Sequence, residues 1–488
     1  MPNYQFVPAA IYPPYHGAIG VYVRYHKHRN IPVTEKRYTP QYVWFDTPDR
    51  ELLIVNDFNQ TGNCRPLDCN FDEFYSFSPL HLSGKDFDFP WIMLNYLQNA
   101  DSSIDLNFNE FYGQNKKPWL SMADSGGFQL GGGNLNFIDP VKVAKWYRNN
   151  VDVGISLDVP PRRVMDPVVR KRSARIQAKN NNIMLDVLDG SNTEIMNISH
   201  GMTLQQQLKF HDIIQNDSID RMAIGGLVGT TVSNLITLYN VINHNEFHGR
   251  YKHYHVLGTF NSKIIPPLIW LSKIYNEKKK ISLFTSDASS AIQLALNKHY
   301  RFLPLHSDHL KVLEFQSQGK KPILSMPSSE RKLPCGCPVC NVIKYVDIFN
   351  QFSGNIHMLF MTMHNIFVMQ SYSKFLNELA SNTTFEQYYE AIKHQQKGYH
   401  APETLLALRF LNTAHTQGLE KALRDYDGQI VKPIHAHVSH GLFGAIESKT
   451  TNKRKFLDDI LDGYERYQKT GKPPEIIRAK PNVKPKKK

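Results

Sequence analysis

Trp119-Leu120-Ser121-Met122-Ala123-Asp124-Ser125-Gly126-Gly127-Phe128-Gln129 opens as a short apolar run and closes on a carboxylate with two glycines behind it. An apolar run of this length is a strand. Asp124 then stands just past a strand end, beside a backbone open enough to admit a flat ligand. An ordinary strand-to-loop turn has the same composition, because Asp, Ser and Gly are all common in turns. The rest of the chain separates the two readings.

That run starts a rhythm. Val153 to Leu157, Glu194 to Ile198, Arg221 to Ile224, His253 to Leu257 and Ile281 to Thr285 follow it, at spacings of about 25 to 40 residues, which suit a strand, a loop and a helix. Helical patterns fill the intervals: Pro140 to Asn149, Arg170 to Leu188, Thr203 to Ile214, Val232 to Asn243, Ile265 to Tyr275 and Ser289 to His299. Such a series of βα units predicts an α/β fold with a parallel sheet, and a doubly wound open sheet and a closed (β/α)8 TIM barrel both fit. The barrel is favoured because functional candidates follow nearly every strand: Asp124, Asp158, His200, Gly225-Gly226, Gly258 and Asp287. An open sheet gathers its ligands at one switch point instead. The missing strands are expected before residue 119 or around Pro322 to Met326. Upstream, the first 114 residues are aromatic-rich and irregular, with strand-like pieces at Gln41 to Phe45 and Leu52 to Val55.

The chain has 488 residues, enough for one large domain with appendages or for two domains. No run of about 18 apolar residues exists to span a bilayer, and Met1-Pro2-Asn3-Tyr4 does not begin a secretory signal, so a cytoplasmic location without membrane attachment is expected. Net charge is +13. About half of that excess sits in Gly471 to Lys488, where seven Lys/Arg face one Glu. This proline-spaced lysine tail, 471–488, is expected to be disordered. The overall charge points to a polyanionic partner.

Five cysteines are present, and Cys335, Cys337 and Cys340 fall within six residues. Such crowding favours a metal in a reducing compartment over a disulfide framework. Three thiolates and one more ligand would close a tetrahedral structural zinc site. His357 and His364 are the nearby histidines, and His364 is preferred; an iron–sulfur centre is the lesser alternative. Cys64 and Cys69, far away, read as free thiols. Helical patterns at Ile356 to Asn382, Thr384 to His394 and Pro402 to Leu423 follow the cysteines. The predicted division is therefore 1–114 as a region contributing to the barrel, 115–330 as the catalytic barrel, 331–400 as a zinc-binding subdomain and 401–470 as a helical C-terminal extension.

Gly131-Gly132-Gly133 lacks the lysine of a P-loop and the order of a dinucleotide fingerprint, so no nucleotide cofactor is expected. Arg170, Lys171, Arg172, Arg175 and Lys179 read as the solvated outer face of a barrel helix. Asp124 and Asp287, on different strand ends facing one mouth, are a natural pair for two-carboxylate chemistry at an anomeric carbon. Asp158 is a third acid at the same rim. A helix cap is the competing role for Asp287.

Asp124-Ser125-Gly126-Gly127-Phe128-Gln129, Ala223-Ile224-Gly225-Gly226-Leu227, Ser286-Asp287, the Cys335/Cys337/Cys340 cluster and His364-Asn365-Ile366 occur in the order found in tRNA-guanine transglycosylases, which the chain resembles over about residues 115 to 370. The resemblance implies a (β/α)8 barrel with a zinc subdomain. It implies Asp287 as the nucleophile that displaces guanine from C1′ and Asp124 as general acid/base. It makes Asp158 the reader of the base edge and Gly226-Leu227 the backbone that hydrogen-bonds it. Ser125, Gly126, Phe128, His200, Gly225 and Gly258 complete the implied substrate pocket, and Cys335, Cys337, Cys340 and His364 the zinc ligands.

Departures narrow the likeness. Ser199-His200-Gly201 stands where the tRNA enzymes carry a base-contacting glutamine, and Ala288-Ser289-Ser290-Ala291 replaces an arginine-bearing loop. The chain is most similar to the DNA-modifying branch, the DpdA-type enzymes, which exchange guanine in DNA for a 7-deazaguanine such as preQ0. Exchange on tRNA is the alternative, and a catalytically inactive nucleic-acid-binding module is a rival of another class. The need for an accessory protein that opens the duplex and the formation of a homodimer are left open by the sequence.

Overall fold

The structure is a computed structural model. It describes residues 4–8, 42–44, 51–55, 64–70, 91–97, 120–130, 135–161, 166–201, 203–226, 232–244, 247, 249–258, 264–277, 283–288, 299–302, 313–316, 355–395, 401–426 and 450–475. The strands in chain order are β1 (Tyr4–Pro8), β2 (Tyr42–Trp44), β3 (Glu51–Val55), β4 (Cys64–Asn70), β5 (Trp91–Asn95), β6 (Leu120–Asp124), β7 (Val153–Ile155), β8 (Glu194–His200), β9 (Arg221–Gly225), β10 (His253–Val256), β11 (Leu283–Ala288), β12 (His299–Phe302) and β13 (Leu313–Gln316). The helices are α1 (Gly127–Leu130), α2 (Pro140–Asn150), α3 (Pro167–Leu188), α4 (Leu204–Ile214), α5 (Val232–Asn243), α6 (Ile265–Glu277), α7 (Asn355–Asn382), α8 (Phe385–Gln395), α9 (Ala401–Gln417), α10 (Leu419–Asp425) and α11 (Thr450–Thr470).

One curled sheet organises these elements. Its order is β1-β11-β10-β9-β8-β7-β6-β5, and every neighbouring pair is parallel. The six strands from β6 to β11 are those predicted from the apolar runs. The remaining two come from before residue 119: β1 pairs with β11, placing Val7 opposite Asp287, and β5 pairs with β6, placing Asn95 opposite Asp124. The edge strands β1 and β5 lie beside each other, so the sheet curls almost back on itself. Pro322 to Met326 lies outside the described residues. The strand-like pieces near residues 41 and 52 pair instead in a separate antiparallel sheet, β2-β3-β4, and β12-β13 form a third.

Because side chains alternate across a strand, each strand feeds two cores. Met93, Met122, Val153, Ile155, Met196, Ile198 and Ala223 form a small apolar cluster on one face of the sheet. The other face packs against the helices in one large core. Asp139 and Asp166 cap α2 and α3 through Val141 N and Val168 N, and a proline follows each cap. That pairing starts α3 at Pro167, a turn earlier than the Arg170 start read from its periodicity, because proline needs no N–H donor in the first turn.

Helices beyond residue 355 contribute side chains to the large core. Trp270 of α6 stacks on Tyr388 of α8, with ring centroids 5.2 Å apart, and Lys273 Nζ donates to the Ala380 and Thr383 carbonyls at the end of α7. The expected helix Pro402 to Leu423 is two, α9 and α10, broken at Gly418, whose φ of +95° suits only glycine. His299, expected to end a helix, starts β12; the intervening residues 289–298 lie outside the described set.

Helix α11 docks on α3. Arg172 turns from the basic face and reaches Asp458, Asp462 and Glu465, at 3.4, 2.6 and 2.9 Å. Lys171, Arg175 and Lys179 stay exposed, as a solvated face requires. The first residues of the predicted tail, 471–475, are ordered as well. Gly471, at φ +68°, closes α11 by donating to the Tyr467 carbonyl, and the chain returns so that Asn136 Nδ2 donates to the Glu475 carbonyl at 2.9 Å. Among the described residues no helix is long and apolar enough to cross a membrane.

Candidate active site

In a parallel α/β sheet the loops at the carboxyl ends of the strands make the functional face. Asn95, Asp124, His200, Gly225 and Asp287 all sit at or next to those ends, and Asp158 and Gly258 lie a few residues beyond β7 and β10. The topology thus gathers at one rim residues spread over nearly two hundred positions of sequence.

Asp124 is half-buried. Its Oδ2 accepts from Asn95 Nδ2 at 2.9 Å and its Oδ1 from Gly126 N at 3.2 Å. Two hydrogen bonds to a carboxylate ordinarily favour ionisation. Here they lose: burial first, then the nearby charges of Asp158 and Asp287, raise its pKa to about 7, against the opposing pull of Gly126 and Asn95. Asp124 therefore senses both other carboxylates electrostatically.

Asp158 is buried and shares a 2.6 Å contact with His200 Nε2, also buried, through Oδ2. Its Oδ1 explains the second glycine of the opening motif. A Cβ on Gly127 would stand 2.0 Å from Oδ1 and 2.5 Å from the Asp158 carbonyl, so only glycine lets the two strand ends close. Gly225 does the same for the His200 ring, whose Nδ1 would lie 2.7 Å from an added Cβ. Phe210 meets the ring edge-on at 5.3 Å.

Asp287 holds the third position. Its Oδ1 accepts from Gly258 N at 2.6 Å and contacts His255 Nε2 at 3.1 Å. Buried hydrogen bonds that the motifs did not reveal brace the strand ends around these carboxylates. Ser125 Oγ donates to the Ser156 carbonyl, and Gln207 Nε2 donates to the Gly201 and Gly225 carbonyls at 2.7 and 2.9 Å. Tyr147 of α2 reaches the Ala123 and Ile155 carbonyls with its hydroxyl, and its ring covers Gly154, bracing β6 and β7 just below Asp124. Burial, then the charges of Asp124 and Asp158, hold its phenol neutral, with its pKa well above the usual value.

Asn95, Tyr147, Gln207 and His255 were missed by sequence reasoning. The continuous apolar run Trp91 to Leu94, closing on a polar residue, could have pointed to Asn95; nothing local marks the other three. Gly226 leaves β9 exposed, at φ +85°. Phe128 lies in α1, its side chain outside the described set, and Leu227 is outside it altogether. Cys335, Cys337 and Cys340 also fall outside the described residues, whereas His364 is fully buried in α7. Cys64 and Cys69 lie on β4. Among the described residues alone, no group of three or more metal-ligating side chains occurs. No protein-family model matches this chain, and no curated protein matches it.

Proposed function

We propose that this protein is a guanine transglycosylase that acts on DNA, built on a closed (β/α)8 barrel with a zinc subdomain. The observation that carries the proposal is the rim of three carboxylates, one of which, Asp124, keeps its proton up to about 7 while Asp287 accepts the Gly258 N–H and faces His255 Nε2. Enzymes that work by paired acids place the two in different environments, and a general acid needs one that keeps its proton.

The steps follow from those environments. Asp287 attacks C1′ of a deoxyguanosine as the C1′–N9 bond breaks, and protonated Asp124 gives its proton to the departing guanine. A glycosyl ester to Asp287 then holds the sugar. A 7-deazaguanine such as preQ0 takes the vacated pocket, its N9–H passes a proton to Asp124, and N9 displaces Asp287 from C1′. Proton and leaving group balance over the cycle, so no nucleotide cofactor is required. Asp158, with His200 on Oδ2, offers Oδ1 to the donor edge of the base, and the small backbone at Gly225 and Gly226 gives the ring room.

Cys335, Cys337, Cys340 and His364 are a thiolate and imidazole set of the kind zinc prefers, and would hold one structural ion. A polynucleotide substrate fits the net charge of +13, and a cytoplasmic setting fits reduced cysteines.

The test is incubation of the purified protein with guanine-containing DNA or with tRNA and a labelled 7-deazaguanine, followed by nucleoside mass spectrometry. Label in DNA, lost with Asp287→Asn, is expected. Equal or better incorporation into tRNA would move the substrate to tRNA. No incorporation into either, from a folded and zinc-loaded protein, would end the proposal.

A further inference from the structure

Asp287 stands at the end of a line of polar groups that runs from the exposed Glu194 of β8 across β9 and β10 to β11, and which the mechanism above does not use. Alternation puts His253 and His255 on one face of β10, and the register sets His253 beside Arg221 of β9 and His255 beside Thr285 of β11. The contacts follow that register. Arg221, bonded through Nε to Glu194, reaches His253 Nδ1 at 2.9 Å through Nη1. His253 Nε2 lies 2.7 Å from Thr285 Oγ1, and Thr285 Oγ1 lies 2.8 Å from His255 Nδ1. His255 Nε2 meets Asp287 Oδ1 at 3.1 Å. Both histidines and Thr285 are fully buried.

We infer that His255 is a positioning residue for Asp287, and that Arg221 sets its tautomer from the far end of this line.

The direction follows from donor counting. A guanidinium has no acceptor, so His253 Nδ1 must accept, and its proton sits on Nε2. That N–H donates to Thr285 Oγ1. A hydroxyl carries one proton, which is then directed to His255 Nδ1. His255 therefore carries its own proton on Nε2 and aims it at Asp287 Oδ1. With the opposite tautomer, a nitrogen lone pair would face the carboxylate and the Thr285 proton would lose its acceptor. Burial first, helped by the cationic Arg221 and Lys252, holds His253 well below the usual histidine pKa, so it stays neutral at working pH.

The chemical consequence concerns which oxygen reacts. His255 Nε2 and Gly258 N both donate to Oδ1. Oδ1 is thereby anchored, and Oδ2 is the atom presented to C1′. Arrangement from behind, by groups that never meet the substrate, orients the nucleophile before it binds.

The kinetic part of this inference rests on the proposed exchange reaction; the tautomer part does not. The full-length protein is labelled with 15N-histidine, and two-bond 1H–15N spectra are assigned with His253→Gln and His255→Gln. Both rings are expected to carry a proton on Nε2 and to accept at Nδ1, and Arg221→Met should shift His253 and His255 together toward mixtures. His255 found as the Nδ1–H form, or as imidazolium, would overturn the inference whatever the activity. Ester formation on Asp287 is then timed at saturating DNA. His255→Leu should slow it on the order of a hundredfold with KM nearly unchanged, and His255→Gln, which keeps an N–H near the Nε2 position, should recover most of that loss. Equal rates for Leu and Gln would also overturn it. A wild-type protein that shows the tautomers but forms no ester would leave the relay standing and refute the proposed function.

Discussion

At the scale of single residues, Asp124 is an acid folded into a place that resists its ionisation. Its pKa of about 7 against 3.8 means that, between those values, the folded chain keeps a proton that the unfolded chain has released. Stability from the protonated form is complete below 3.8 and is lost as pH rises through 7. The full shift corresponds to a ceiling of roughly 4 kcal/mol, reduced by the water that reaches a half-buried group. Asp124→Asn is therefore expected to raise the melting temperature at pH 8, by the equivalent of about 1 to 3 kcal/mol, and to leave it nearly unchanged at pH 4. The same variant should bind substrate and stall exchange. A gain that is equal at both pH values would show that ionisation is not its source. Gly127 offers a steric counterpart. Its missing side chain is the room that Asp158 occupies, with nothing flexible to yield, so Gly127→Ala is expected to cost about 1 to 3 kcal/mol in denaturant unfolding and to suppress activity further.

Among the elements, α11 shows how a distant helix supports the rim. Tyr464 is fully buried, its hydroxyl bonded to both the Ile138 N–H and carbonyl, and its ring packs 4.8 Å from Phe137 at the entrance to α2. From α2, Tyr147 reaches β6 and β7 beneath Asp124. Removal of the ring leaves a cavity and two unpaired backbone groups. Tyr464→Ala is expected to destabilise by about 3 to 5 kcal/mol, and Tyr464→Phe by about 1 to 2, measured by urea midpoints. The Arg172 clasp is weaker. Its carboxylate partners are more than a third exposed, so Arg172→Met should cost about 1 kcal/mol or less and lose its effect in high salt. A salt-independent loss would assign the arginine to packing instead. The basic run that contains Arg172 looked uniform in sequence because its carboxylate partners lie nearly three hundred residues downstream.

For the whole molecule, charge and metal make the broadest predictions. With a net charge of +13, binding to DNA through phosphate contacts should weaken steeply as salt rises, with a linear log–log slope of roughly −0.9 per phosphate neutralised. A flat slope would exclude a phosphate-tracking surface. Stoichiometric metal analysis should give one zinc per chain. Chelation should then unfold the cysteine region, since binding energies of about 10 to 16 kcal/mol for such sites exceed the net stability of most domains. A folded, active, metal-free protein would rule the site out.

The sequence alone determined the run of strands and helices from Trp119 to Thr285, and it placed Asp124, Asp158, His200 and Asp287 at strand ends. Periodicity and strand-end chemistry are local properties, written into consecutive residues. Tertiary structure decided the rest. It brought Tyr4–Pro8 beside the strand of Asp287, folded the C-terminal helices into the main core and tied Glu475 back to Asn136 at the surface. It also decided the protonation of Asp124 and the line from Arg221 to His255. Such features depend on which side chains the curled sheet makes neighbours and on how much water it removes from between them. Neither quantity belongs to any one stretch of chain.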